Sequence, residues 1–256
     1  MFQIIEYIKF FFKSTNQHGV HSPFVYDLVT KCFYDKTKHE AYSNLSDYRT
    51  SLLKNKQQIE ITDFGAGSRV FKSNLRAINS MAKTSGSTLK RAQLLYRIIR
   101  YFKPQHTLEL GTSLGIATQA IALGHFKNHV VSIEGCPNIS DFAKQQLNNF
   151  NIKNITLKTG EFDKVLLELQ DNNHDLVFFD GNHNKEATLK YFNLEVDKAH
   201  NDSVFIFDDI HWSKDMIEAW EIIKTHPKVT VSIDTFFWGL VFFRKEQVKE
   251  NFAIRL

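Results

Sequence analysis

Between residues 106 and 134 the chain reads HTLELGTSLGIATQAIALGHFKNHVVSIE, and few folds accommodate such a stretch. It divides into a short strand ending at Leu110, a glycine-containing loop over 111–115, a helix over 116–124 and a second strand from His129. Glu134 stands at the carboxyl end of that second strand. Strand, tight turn, helix and acid in this order predict a nucleotide-type cofactor site in an open parallel sheet. Gly111 and Gly115 carry no Cβ, so the backbone there turns sharply and approaches a ligand closely. An acid one strand later accepts hydrogen bonds from both hydroxyls of a ribose.

The loop, Gly-Thr-Ser-Leu-Gly, lacks the GxGxxG spacing that sets a helix N-terminus against a pyrophosphate, which disfavours a nicotinamide dinucleotide. Glu109 just before it would sit badly beside phosphates and suits a ligand carrying an amine and a sulfonium charge. With Glu109, Gly111 and Gly115 in the form E/D-x-G-x-x-x-G, the stretch resembles the first motif of the class I S-adenosylmethionine (SAM)-dependent methyltransferases. The resemblance implies that the 111–115 loop, with Thr112 and Ser113, holds the methionine end of SAM. It further implies that Glu134 takes the ribose and that Gly160 and Glu161 lie near the adenine. A simple acid at a helix N-terminus is the competing reading of Glu161.

The pattern around this stretch is periodic. Leu95, Ile98, Ile99 and Phe102 recur at three and four within 90–102, the stripe of a surface helix, and Pro104 stops it. After Glu134, helices are expected over 140–150, 162–169, 185–199 and 213–225. They alternate with strands over 154–158, 174–179 and 203–207. Strands over 228–233 and 237–244 follow closely enough to form an antiparallel hairpin at the sheet edge. Five β/α repeats closing in a hairpin predict an α/β fold: a doubly wound, seven-stranded, mostly parallel sheet with one reversed strand. The resemblance spans about residues 90–244. Residues 86–256 are therefore read as the methyltransferase domain and residues 1–85 as a helical, lid-forming extension.

In such a sheet, ligands gather outside the carboxyl ends of the strands. Asp180, Asp208 and Asp209 fall at two of those ends, and converging carboxylates repel unless a cation or proton intervenes. Oxygen-only ligands suit Mg²⁺ or a similar divalent cation. The three acids resemble those of the catechol O-methyltransferase branch, where a divalent ion holds a substrate hydroxyl and lowers its pKa. Capping of the following helices by Asp180 and Asp208 is the alternative. His183 stands three residues after Asp180, where that branch places a lysine base, which puts a catechol-like substrate in doubt. With Asp180 it is assigned to catalysis, and His211 competes for the role of base. Trp212 and Trp238 are read as core aromatics, with pocket walls as the alternative.

Other features bear on partners. Residues 1–105 hold seventeen Lys and Arg against seven Asp and Glu, and no acid interrupts the run from 69 to 103. That asymmetry suits a small-molecule enzyme with a solvated basic face, or an RNA methyltransferase docking through its basic half. A SAM-binding protein without catalysis and a homodimer are the other readings left open. Two distant cysteines, Cys32 and Cys136, build no disulfide framework, and a reducing cytoplasm is expected. The opening MFQIIEYIKFFFK is too short to span a bilayer, and stable membrane insertion is not expected. An amphipathic helix lying on the body of the protein is expected there, with a membrane-surface anchor as the alternative. His18 and His21, in NQHGVHSP, are read as turn residues rather than metal ligands. A rival glycine loop, Asp63-Phe64-Gly65-Ala66-Gly67-Ser68, is read as a structural turn or part of a lid.

Overall fold

The computed structural model describes residues 2–62, 73–84, 86–170 and 172–256, so the 63–68 glycine loop lies outside the described residues. The chain divides into two compact units, one of residues 1–35 and 170–256, the other of residues 36–169.

The first unit opens with α1 (Phe2–Lys13), which buries only Phe10. Phe10 and Ala253 share a small apolar cluster with Phe236, and Tyr7 meets the Phe236 ring edge-on at 4.9 Å. Ile4, Ile5, Ile8, Phe11 and Phe12 are exposed. The sequence expectation of a helix whose apolar face lies on the protein is therefore met by two side chains and missed by five. Next comes α2 (Pro23–Leu28), which runs into a π-helical turn over Val29–Phe33. Ser22 caps α2 by accepting the Val25 N–H, and Pro23 fits the first turn, where its missing N–H costs nothing. Asn16 accepts the His18 N–H in the same way, consistent with a turn role for this segment.

The second unit contains α3 (Ala41–Lys54) and an antiparallel pair, β1 (Gln58–Glu60) with β2 (Leu75–Ala77). The expected helical extension over 1–85 thus carries strands as well. After α4 (Ile78–Thr84) comes α5 (Leu89–Phe102), which buries Leu95, Ile98 and Ile99 as their spacing predicts. Thr88 caps its start, and Lys103 ends it in the left-handed conformation just before Pro104. Then follow β3 (His106–Leu110), α6 (Ile116–Gly124), β4 (His129–Glu134), α7 (Pro137–Asn149), β5 (Ile155–Thr159) and α8 (Phe162–Glu168). The strands β3, β4 and β5 pair in parallel, with His106 opposite His129 and Val130 opposite Ile155.

The first unit resumes with β6 (Leu176–Phe179), α9 (Lys185–Val196), β7 (Val204–Asp208) and α10 (Lys214–Thr225). Every residue of β6 and β7 is buried, the continuous apolar run of parallel strands covered on both faces. The chain closes with β8 (Val231–Asp234), β9 (Trp238–Phe242) and β10 (Glu250–Ala253). The reversed strand is β9, antiparallel to both β7 and β8, while β10 pairs in parallel with β8.

The fold is α/β with a mostly parallel main sheet, and two details of the sequence reading need correction. The main sheet has eight strands among the described residues rather than seven, because β10 adds to β8. For the same reason the β8–β9 hairpin is not at the edge: β9 lies between β7 and β8, and β10 covers β8. No helix among the described residues is long and apolar enough to cross a membrane.

Candidate active site

In the second unit, the loop between β3 and α6 is shaped by its backbone. Gly111 (φ 106°), Ser113 (φ 48°) and Gly115 (φ 77°) all occupy left-handed conformations, which favour glycine at two of the three positions. The N–H groups of Gly111 and Thr112 both donate to the Ile133 carbonyl, at 2.9 and 3.2 Å, and so tie the loop to the end of β4. Glu134 completes the tie. One of its carboxylate oxygens accepts the Ser113 N–H at 2.8 Å and the other the Cys136 N–H at 2.9 Å. A carboxylate offers about four acceptor sites, so these bonds leave capacity for hydroxyls. Gly160 donates its N–H to the Glu134 carbonyl at 2.9 Å. Glu161 starts α8 without capping it through its side chain, which pairs instead with Lys164 at 2.7 Å.

Glu109 sits inside the unit, with no exposed surface. Its Oε2 accepts hydrogen bonds from Thr118 on α6 and Ser132 on β4, and Ser132 also bonds Thr112. Its Oε1 is buried without a hydrogen-bond partner among the described residues. Burial pushes the Glu109 carboxyl up to about 7, and the charge of Glu134 adds to the rise, while the two hydroxyls pull against it.

Sequence reasoning missed Tyr48. This α3 residue is completely buried and donates its hydroxyl to the Leu114 carbonyl, in the middle of the glycine loop, at 2.8 Å. A Cβ on Gly115 would lie 2.5 Å from the same hydroxyl oxygen. An aromatic residue in a polar helix, some sixty residues before the motif, carries no sequence signal of such a role.

In the first unit, Asp180 follows β6 and Asp208 ends β7. The helices that follow are capped by Asn184 and Ser213, so capping does not account for either acid. Ligand atoms of Asp180, His183 and Asp208 all lie within 4.8 Å of one another. His183 Nε2 is 3.8 Å from Asp180 Oδ1, an ion-pair distance rather than a hydrogen bond. Asp209, the third acid of the sequence reading, is not in this group. It takes the left-handed position of the turn after β7 (φ 53°), and its carbonyl accepts the Trp212 N–H. The converging set is thus two carboxylates and an imidazole, a donor set that fits a divalent cation with nitrogen tolerance, such as Mn²⁺, as well as Mg²⁺.

His211 is separate from that group. Its Nε2 pairs with Asp234 Oδ2 at 2.9 Å, and its ring stacks on Phe236 with centroids 5.0 Å apart. The other Asp234 oxygen accepts the Phe236 N–H, which fixes the carboxylate. His211 Nδ1 is buried without a hydrogen-bond partner among the described residues. Asp234 is a second residue that the sequence did not reveal, because 23 positions and a helix separate it from His211. Trp238 is core, 2% exposed and edge-on to Phe178.

Comparison with known proteins agrees with this architecture. Residues 108–210 match the family model described as a methyltransferase domain. Among solved structures, the SAH-bound methyltransferase PaMTH1 of Podospora anserina superposes with a TM-score of 0.60 at 14% identity, over 88% of this chain and 97% of that one. The O-methyltransferase TomG of Streptomyces achromogenes, involved in tomaymycin synthesis and in complex with SAM, gives 0.57 at 15% identity, over 81% and 91%. The O-methyltransferase of Bacillus cereus in complex with SAH gives 0.57 at 15% identity, over 82% and 94%. Curated proteins gave no match. The chain therefore has the fold of these methyltransferases and matches a methyltransferase domain over residues 108–210.

Proposed function

We propose that this methyltransferase moves the methyl group of SAM to a hydroxyl oxygen of a small molecule, with a divalent cation held by Asp180 and Asp208. The observation that carries the reading is the convergence of Asp180, His183 and Asp208 at the ends of two neighbouring strands with no capping role to explain it. In this assignment the donor belongs to the loop of Gly111, Thr112, Ser113 and Gly115, with Glu134 on the ribose hydroxyls and Gly160 and Glu161 toward the adenine. A bound cation would polarise the acceptor hydroxyl and lower its pKa. His183 takes the hydroxyl proton, and the oxygen attacks the methyl carbon as the carbon–sulfur bond breaks. The sulfonium becomes the neutral thioether of SAH, and the proton stays on the imidazole until solvent removes it. No covalent enzyme intermediate is needed, so the protein contributes alignment and proton removal.

The domain assignment follows the same reading: residues 86–256 carry the transferase chemistry and residues 1–85 contribute to substrate enclosure. The test is to incubate the protein with methyl-labelled SAM and a cell extract, with and without EDTA, and to separate small molecules from RNA. Label in the small-molecule fraction that is lost with EDTA supports the proposal. Label confined to RNA, or unaffected by EDTA, overturns the substrate class or the cation respectively. Calorimetric binding of a nicotinamide dinucleotide with no heat from SAM or SAH would overturn the donor assignment.

A further inference from the structure

Among the described residues, helix α1 presents an apolar surface that the fold leaves uncovered. At 100° per residue, Ile4, Ile5, Ile8, Phe11 and Phe12 fall on one continuous arc of its surface, and all five are between 47% and 83% exposed. Phe10 is the buried residue that fastens the helix to Phe236 and Ala253, so the arc faces away from its own anchor. Scattered exposed apolar residues are ordinary, but five large ones on one helical face mark an interaction surface.

Charge selects the occupant. Lys9 borders the arc beside Ile5, and the Arg255 guanidinium lies over the exposed Phe11 ring at 5.0 Å. The one acid of the helix, Glu6, lies on the opposite side together with Lys13 and is engaged by Lys9 at 2.7 Å. Two copies packed through this face would bring like charges together with no acid between them. A surface of anionic headgroups over an acyl layer complements both the arc and its margin. With twelve residues, α1 is about 18 Å long, well short of a hydrocarbon core of about 30 Å. It can therefore lie in an interface but not cross one.

We propose that the apolar face of α1 docks the protein reversibly on an anionic lipid surface, with Lys9 and Arg255 at the headgroups. This inference does not depend on the reaction assigned above. The experiment is co-sedimentation of the full chain with vesicles of phosphatidylcholine alone and with about 30% phosphatidylglycerol added, a charge density of the order found in anionic leaflets. Binding to the anionic vesicles that exceeds binding to neutral ones and weakens with salt is expected. The double substitution Ile8→Glu with Phe12→Glu should cut partitioning about a hundredfold or more, since two large side chains no longer leave water. Both positions are exposed, so the fold and SAM binding should persist. Lys9→Glu with Arg255→Glu should remove the preference for anionic vesicles. Absence of binding to either vesicle, or binding that survives Ile8→Glu with Phe12→Glu, would overturn the proposal. So would a dimer in sedimentation that this double substitution dissolves, which would assign the face to a second copy.

Discussion

Glu109 gives the fold a pH dependence whose sign and size follow from its surroundings. In the unfolded chain its carboxyl ionises near the ordinary 4.5, and in the folded protein near about 7, chiefly because burial penalises the charge. Between those values the folded state holds a proton that the unfolded state has released, so stability falls as pH rises. The contribution of the protonated acid is fully present below about 4.5 and is lost as pH passes about 7. A rise of this size, at about 1.4 kcal/mol per pKa unit, corresponds to about 3 kcal/mol. Urea unfolding of the wild type and of Glu109→Gln, at intervals from pH 4.5 to 8, isolates the effect. Other titrating groups contribute alike to both proteins and cancel in the difference. That difference should shift against the wild type by about 3 kcal/mol across the interval and level off above it. A difference that stays flat would mean that Glu109 is ionised throughout, and the account of its burial and of the Thr118 and Ser132 hydrogen bonds would be refuted.

Further outcomes follow from other contacts. Tyr48→Phe leaves the buried Leu114 carbonyl without its donor and should cost about 1–3 kcal/mol, read from the urea midpoint, with SAM affinity falling alongside. Gly115→Ala places a Cβ 2.5 Å from the Tyr48 hydroxyl at a left-handed position and should cost about 2–5 kcal/mol by the same measurement. Asp180→Ala should lower turnover by about a hundredfold or more while calorimetry still detects SAM. Glu134→Ala should do the reverse at subsaturating donor, weakening SAM binding measured directly; unchanged affinity would remove Glu134 from the donor site.

The order of elements from β3 to β9 was legible in the sequence because each announces itself locally. The strand LVFF is continuously apolar, α5 shows its three-four stripe, and Gly111 and Gly115 bracket a turn that only such residues permit readily. The strand β10 was not legible, since ENFA is half polar and follows a charged segment, and its place is decided by pairing with β8. The acids told a similar story. Their positions at strand ends could be counted along the chain, which singled out Asp180, Asp208 and Asp209. Whether Asp209 or His183 joins Asp180 and Asp208 depends on a left-handed turn residue, a backbone detail that carries no side-chain signature. The partners Tyr48 and Asp234 were invisible for a plainer reason: each acts across a long sequence separation on an atom that any residue could present.

The bond from Tyr48 to Leu114 bears on how the molecule can be dissected. A gene fragment beginning at residue 86 would encode the whole 111–115 loop, yet would leave the Leu114 carbonyl facing a void where an aromatic plug had been. Helix α3 is thus a brace for that loop, and a truncation that removes the helix removes the brace with it.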